Sequence, residues 1–295
     1  MHSTVDRLAF AAASDGAVDP MRYTAMGVME KSKVKKVTAI VSSARKRLTH
    51  NAVLQFLKNL QSLGNVEYEI VALSQCRLGI CRGCKLCFQK GEEYCPLKDD
   101  RDALFEKLMA SDGVVLATPN YSFQVSGMMK VFLDRLGFVF HRPRFFGKTF
   151  TGIVAQGLFG GTKIVKYLDF VGNGLGFNTV KGTCVAACEP ITEEEQQKID
   201  RALASLSKRF HERLVKSAYP VPRLLNLMAF RMARTSMKLM LDDSYLDYRY
   251  FTDKGWFESE YYYPTHLGPL KKAAGSLFDA LATIETRRRR GTPAT

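Results

Sequence analysis

Apolar residues first gather at positions 34–43, where Val34, Val37, Ile40 and Val41 run into the small polar pair Ser42-Ser43. A β-branched run closing in this way predicts a buried first strand that opens into a loop. From residue 49 the period changes: Val53, Leu54, Leu57 and Leu60 recur at helical spacing, and Gly64-Asn65 stops the helix. Residues 66–73 predict a second strand and a cysteine-bearing loop follows. Residues 99–109 predict a helix whose Asp99 and Asp100 suit its positive end. Residues 113–119 carry no charge, which predicts a central strand. A helix over 125–136, a strand over 149–155, a helix over 162–168 and a strand over 179–187 complete the alternation. That order predicts an α/β doubly wound five-stranded parallel sheet, with any ligand at the carboxyl ends of its strands.

After Cys188 the strand pattern ends. Residues 193–216 read as a charged helix, Pro220 and Pro222 break the chain, and residues 223–241 read as an amphipathic helix. That helix sets Arg223, Arg231, Arg234 and Lys238 against a broad Leu- and Met-rich surface. Packing on protein is expected of it, ahead of contact with a membrane surface. Residues 242–270 are aromatic-rich and predicted irregular, and a last helix spans 269–286. The expected organisation is a flexible leader over 1–32, the sheet domain over 33–190, a helical extension over 191–286 and a basic tail over 287–295.

Composition narrows the classes. With 46% hydrophobic residues in 295, the chain can bury a core, so disorder of the whole is excluded. No apolar run approaches a membrane span and the start has no signal-peptide pattern, so a cytoplasmic protein is expected. The net charge of +14 lies largely in residues 201–295, where 17 Lys and Arg face 9 Asp and Glu. The basic excess lacks the interleaved aromatics of a nucleic-acid platform, and no nucleic-acid partner is expected.

Five of the seven cysteines fall within twenty residues. Cys81, Cys84, Cys87 and Cys95 follow the second strand with spacers of two, two and seven residues. Two short spacers bring three thiolates together and a longer arm returns the fourth, as a 4Fe-4S cluster requires. Zinc and a metal-free thiol loop stay open as alternatives. Arg82, Lys85 and Lys90 are expected to favour the thiolates, and a loop at this position is expected to overhang a ligand bound at the sheet edge. Cys76, Cys184 and Cys188 read as packing residues.

Three further loops fall at the same sheet edge. Residues 42–51 offer backbone N–H groups, a helix N-terminus and the side chains of Ser43, Thr49 and Asn51, which suit a monophosphate ester. They lack the glycine patterns of a nucleoside triphosphate or dinucleotide loop. Pro119-Asn120-Tyr121-Ser122 offers an aromatic ring beside turn amides, suited to a flat heteroaromatic. Gly157, Gly160 and Gly161 permit close backbone approach where the fourth strand ends.

In order and spacing, residues 37–45 with Thr49 and Asn51, Pro119-Asn120-Tyr121 with Val125-Ser126-Gly127 and Lys130, Asp134 and Arg135, and the glycines from Gly157 to Gly161 resemble the flavodoxin-like NADPH-dependent FMN reductases. Among these the chain is most similar to iron-sulfur flavoproteins with a compact cysteine motif. The resemblance covers about half the chain. It implies a flavodoxin-like fold in which Ser43, Arg45, Thr49 and Asn51 hold the FMN phosphate. Pro119, Asn120, Tyr121 and Ser122 would then line the isoalloxazine, with Gly157 and Gly161 on its other side. It also implies NADPH or NADH as donor, a small-molecule or protein electron acceptor such as a quinone, nitro compound or flavin, and a homo-oligomer. An electron carrier working between protein partners is one alternative, and a non-enzymatic basic module that binds nucleic acid or senses redox state through its cysteines is the other, ranked below it. Ser42, Ala44 and the basic pair Lys46-Arg47 depart from the family's usual phosphate loop.

Overall fold

A computed structural model of the protein describes residues 34–216 and 218–291. The leader expected over 1–32 and the last four residues of the basic tail lie outside the described residues. Strands β1 (Lys35–Val41), β2 (Val66–Ala72), β3 (Gly113–Pro119) and β4 (Thr149–Gln156) pair in parallel in the order β2-β1-β3-β4. Two short strands, β5 (Asn178–Thr179) and β6 (Thr183–Ala186), both pair with β4. This is the doubly wound, flavodoxin-like parallel sheet that the alternating pattern predicts. All seven residues of β3 are buried, as their lack of charge requires.

Successive side chains of a strand point to opposite faces, and here both faces are covered. Val37, Ala39 and Val41 share one core with Val115, Ala117 and Ile153 under helices α1 (Leu48–Leu63) and α7 (Glu193–Lys216). Ile40, Leu116, Phe150 and Val154 share the other. It lies under α3 (Arg101–Ala110), α4 (Gly127–Arg135) and α6 (Gly161–Gly174), with α5 (Gly137–His141) after α4. α7 is therefore part of the sheet's cover: Phe210, fully buried, meets Phe56 of α1 edge-on at 5.4 Å. Burying such a side chain contributes about 1.5–3 kcal/mol.

The single last strand expected over 179–187 is broken. Phe150 pairs with Thr179 and Ile153 with Thr183, so residues 180–182 stand opposite only two residues of β4 and form a bulge. Gly182 makes the close approach there, because a Cβ on it would lie 2.3 Å from the Gly152 carbonyl oxygen.

Beyond α7 the chain forms α8 (Leu224–Met240), α9 (Leu246–Asp253) and α10 (Pro269–Gly291). α9 replaces part of the irregular stretch expected over 242–270, and α10 carries the Arg287–Arg289 run as helix rather than tail. The aromatics bury themselves: Phe230, Phe251, Trp256 and Tyr261 form a third core with Leu227 and Leu267. α8 packs on α10, and its Arg231 and Arg234 reach Asp279 at 3.1 and 2.7 Å. Among the described residues no helix is long and apolar enough to cross a membrane.

Candidate active site

The loops after β1, β3, β4 and β6 meet around a cavity of about 340 Å³ at the carboxyl ends of the strands. Of the ten cofactor-binding residues expected from the sequence, Ser43, Arg45, Thr49, Pro119, Asn120, Tyr121 and Gly157 line it; Asn51, Ser122 and Gly161 do not. In the first loop the Ser43 hydroxyl donates to the Arg45 carbonyl at 3.2 Å, folding a tight local turn. α1 then starts from Arg47 with no side-chain cap and no acidic residue in its first turn. Leu48 and Thr49, in that turn, line the cavity, so an uncapped positive helix end stands at its wall. Asn51 lies on the same turn but is exposed and outside the cavity.

The Asn120 backbone N–H donates to Ala155 O at 2.7 Å, and its side-chain nitrogen donates to Phe159 O at 2.9 Å. These bonds tie the second loop to the third. The Asn120 Oδ1 is buried and without a hydrogen-bond partner. Such an acceptor costs free energy unless a ligand N–H meets it.

Tyr121 and Gln124 exchange two backbone hydrogen bonds of 3.0 Å, so Ser122 and Phe123 form a two-residue hairpin tip with φ of 49° and 62°. That turn carries Ser122 out of the cavity. Phe123 packs on Phe159 across the mouth of the loops with ring centroids 5.4 Å apart, both rings exposed.

The glycines of the third loop divide the work. Gly157 lines the cavity, and a Cβ on it would come only to 3.9 Å from Cys188 Sγ. Gly160 holds φ of +96°, and a Cβ there would lie 2.7 Å from the Phe123 ring. Gly161 serves packing: its N–H donates to Gln156 Oε1 at 2.6 Å and a Cβ would strike Cys184 Sγ.

Of the seven lining residues that carried no site expectation, Leu48, Ala155 and Ala187 are apolar and Arg47, Gln156, Cys188 and Glu189 bring polar side chains. Arg47 pairs with Glu189, 142 residues away, a contact with no local sequence signal. Cys188 is exposed at the cavity and so is not the packing residue expected of it. Cys184 does pack, and burial pushes its thiol up to about 11.

The four expected metal ligands, Cys81, Cys84, Cys87 and Cys95, line a second cavity of about 260 Å³. It shares no lining residue with the first. The cysteine loop thus does not overhang the rim cavity; it is drawn along α4 and α5, whose Asp134, Arg135, Gly137 and Phe138 complete the second cavity. Arginines and carboxylates draw it there. Asp100 and Asp99 accept the N–H groups of Arg77 and Gly79 at 2.7 and 2.8 Å. Arg142, fully buried, donates to Cys87 O at 2.9 Å and pairs with Glu92 at 2.8 Å and with Asp247 of α9. Arg144 also pairs with Glu92, at 2.5 Å. The guanidiniums of Arg101, Arg142 and Arg144 lie 5.1–5.8 Å from the Phe138 ring centre.

The cation that acts on a thiol is Arg135, in place of the loop's own Arg82, Lys85 and Lys90. It donates to Cys95 Sγ at 2.9 Å and to Asp99 Oδ1 at 3.0 Å. Burial pushes the Cys95 thiol up, but the Arg135 hydrogen bond and charge outweigh it and hold the thiol below its ordinary value. Cys87 goes the other way, pushed up by burial against the opposing charge of Arg142. Among the described residues, no three His, Cys, Asp or Glu side chains converge on the position of one metal ion.

Residues 35–190 match the family model of the NADPH-dependent FMN reductases. An iron-sulfur flavoprotein of Archaeoglobus fulgidus is 34% identical over 158 residues, half of this chain and 70% of that protein. One of Methanocaldococcus jannaschii is 36% identical over 100 residues, 34% of this chain, and the chain spans only 50% of its length. A solved NAD(P)H:quinone oxidoreductase from Methanothermobacter marburgensis is 14% identical with a TM-score of 0.47, over 59% of this chain and 98% of that one. With more than half its residues inside the matched family model, and a 34% identical iron-sulfur flavoprotein of which it covers 70%, the chain belongs to the NADPH-dependent FMN reductase family, in the iron-sulfur flavoprotein group.

Proposed function

We propose that the protein is an FMN-dependent oxidoreductase that takes electrons from NADPH or NADH and passes them to a quinone, nitro compound, flavin or protein acceptor. The observation that carries this reading is the rim cavity of about 340 Å³, with an uncapped helix end at its wall and Asn120, whose side-chain oxygen is buried and unpartnered, among its lining residues. Both features fit FMN: an anion suits the helix end, and a ring N–H suits the orphaned carbonyl. When bound, FMN would supply hydride acceptance from the nicotinamide and electron release to the acceptor. Ser43, Arg45, Thr49 and the first-turn N–H groups of α1 would hold the phosphate. Pro119, Asn120 and Tyr121 would line the ring on one side and Gly157 on the other. Asn51, Ser122 and Gly161, outside the cavity, would act by shaping these loops.

The donor set of the second cavity fits a 4Fe-4S cluster. Four thiols stand around a space rather than on one point, and an N–H to sulfur contact from Arg135 suits a cluster ligand. Cys81, Cys84, Cys87 and Cys95 would be its ligands. This favours a second reading, an electron carrier in which flavin and cluster serve protein partners.

One preparation tests both. Protein purified without oxygen should show an oxidised-flavin spectrum with about one FMN per chain, plus iron and sulfide in equal amounts near four per chain. Rapid NAD(P)H oxidation with a quinone supports the reductase over the carrier. Colourless protein that takes up no FMN would end both readings.

A further inference from the structure

The largest of these cavities belongs to neither site. It encloses about 420 Å³ and is lined by β5, by Phe146 ahead of β4, by the last turns of α7 and by the start of α8. β5 pairs with the first residues of β4, which sets this cavity at the amino edge of the sheet, opposite the rim cavity.

Its lining is strongly basic. Arg209, Arg213, Lys216 and Arg223 all reach it, with Glu212 as the one lining carboxylate. Asp169, outside the lining, is close enough to feel Arg209 and Arg223. None of the four cations makes an ion pair among the described residues; Arg209 donates to the Lys181 carbonyl at 3.0 Å. A helix C-terminus by itself accounts for Arg213 and Lys216 in the last turn of α7. It accounts for neither Arg209 nor Arg223, which arrive from an earlier turn and another helix. Nor does it account for Thr179, which lines the cavity with a buried hydroxyl oxygen lacking any hydrogen-bond partner.

Aromatics share the lining with these polar groups. Tyr261 is buried, and Tyr263 is fixed by its hydroxyl donating to Pro220 O at 2.7 Å, with Phe146 meeting its ring at 5.4 Å. Fixed rings and clustered cations in one lining suit a ligand with a flat body and more than one negative charge. The volume lies within the range of small-molecule sites.

We propose that this amino-edge cavity is a second ligand site that binds a nucleoside phosphate, with the phosphates among Arg209, Arg213, Lys216 and Arg223 and the base against the tyrosines. The ligand bridges the sheet and the C-terminal helices at the edge opposite the rim cavity, and so acts as an effector rather than a substrate. The proposal does not depend on the flavin reading, since the two cavities lie at opposite edges of the sheet.

The test is calorimetric titration of FMN-saturated protein with ADP, adenosine and inorganic phosphate, repeated on Arg213→Gln/Lys216→Gln and on Arg223→Gln. Circular dichroism and FMN content serve as controls for folding. ADP should bind, with inorganic phosphate and adenosine each at least about tenfold weaker, and each variant should weaken ADP at least about fivefold with FMN content unchanged. Binding that ignores both variants, or no ADP binding at millimolar concentration, overturns the site. Inorganic phosphate binding as tightly as ADP overturns the nucleoside assignment. ADP binding seen only in FMN-free protein places it at the rim cavity and overturns the proposal, whereas failure to bind FMN at all bears on the proposed function alone.

Discussion

The loops that leave β1 and β2, neighbours in the sheet, are held by opposite means. The first makes its turn with its own residues, Ser43 bonding Arg45 two positions on before the backbone runs straight into α1. Its distant ties, Arg47 with Glu189 and Ser126 with Ser42, are single residue pairs. The second is held from far away, by Arg135 and Arg142 some 40–55 residues later and, through Arg142, by Asp247 on α9. The first loop leaves its helix end open, as the proposed phosphate site requires, whereas the loop carrying four thiols is braced with nothing bound. The C-terminal extension is part of that brace.

The comparison breaks most forcefully at Asp247. Replacing it with Ala leaves the buried Arg142 guanidinium with Glu92 as its remaining carboxylate, and removal of one partner from a buried pair costs about 3–5 kcal/mol. Urea unfolding of Asp247→Ala should show a loss of that order, with iron content falling and FMN affinity per folded chain within about twofold of the parent. An equal fall in FMN affinity would mean that the two loops are not independent.

The reverse experiment acts at the rim. Gly160→Ala puts a side chain at φ +96° and a Cβ 2.7 Å from Phe123, so about 1–3 kcal/mol should be lost, mostly from the rim loops. Weaker FMN binding with unchanged iron content is the expected result. A smaller effect follows from Asn120→Ala, which removes the bond to Phe159 and the orphaned acceptor together. About tenfold weaker FMN binding by fluorescence titration, with little change in unfolding midpoint, is expected.

The same contrast explains what could be read from the chain. Periodicity carried the sheet, because strand burial and helix faces are local patterns: the uncharged run of β3 is enough to make it central. Seven of the ten expected cofactor residues share one cavity because they lie at the carboxyl ends of β1, β3 and β4 or on the loop and first helical turn that follow. Ser122 and Gly161 sit elsewhere because of a hairpin tip and a helix contact with Gln156 that no residue type announces. The partners of the cysteines were illegible for a stronger reason. Arg135 enters the sequence reading only through the resemblance, Arg142 lies between the elements predicted over 125–136 and 149–155, and Asp247 lies in a stretch whose helix is fixed by burial of Phe251 in the aromatic core.

Acid gives the gentlest probe. Burial pushes the Glu92 and Asp99 carboxyls up, but Arg144 and Arg142 on the first, and the Gly79 N–H and Arg135 on the second, hold both below their ordinary values of 4.5 and 3.8. A carboxyl depressed in the folded state contributes stability above its unfolded value, and that stability is lost as pH falls through the folded one. The brace on the cysteine loop should therefore weaken below about pH 4.5, whereas the turn from Ser43 to Arg45 is closed by a hydroxyl and contains no carboxylate. In metal-free protein, labelling of the buried Cys95 by a dithiopyridine reagent, which reacts at acid pH, should rise as pH is lowered from about 5 to 3. Glu92→Gln should label readily across the whole range, since its brace is already broken. A labelling rate flat with pH, or a variant that follows the parent's curve, would show that the arginine–carboxylate contacts do not hold the loop.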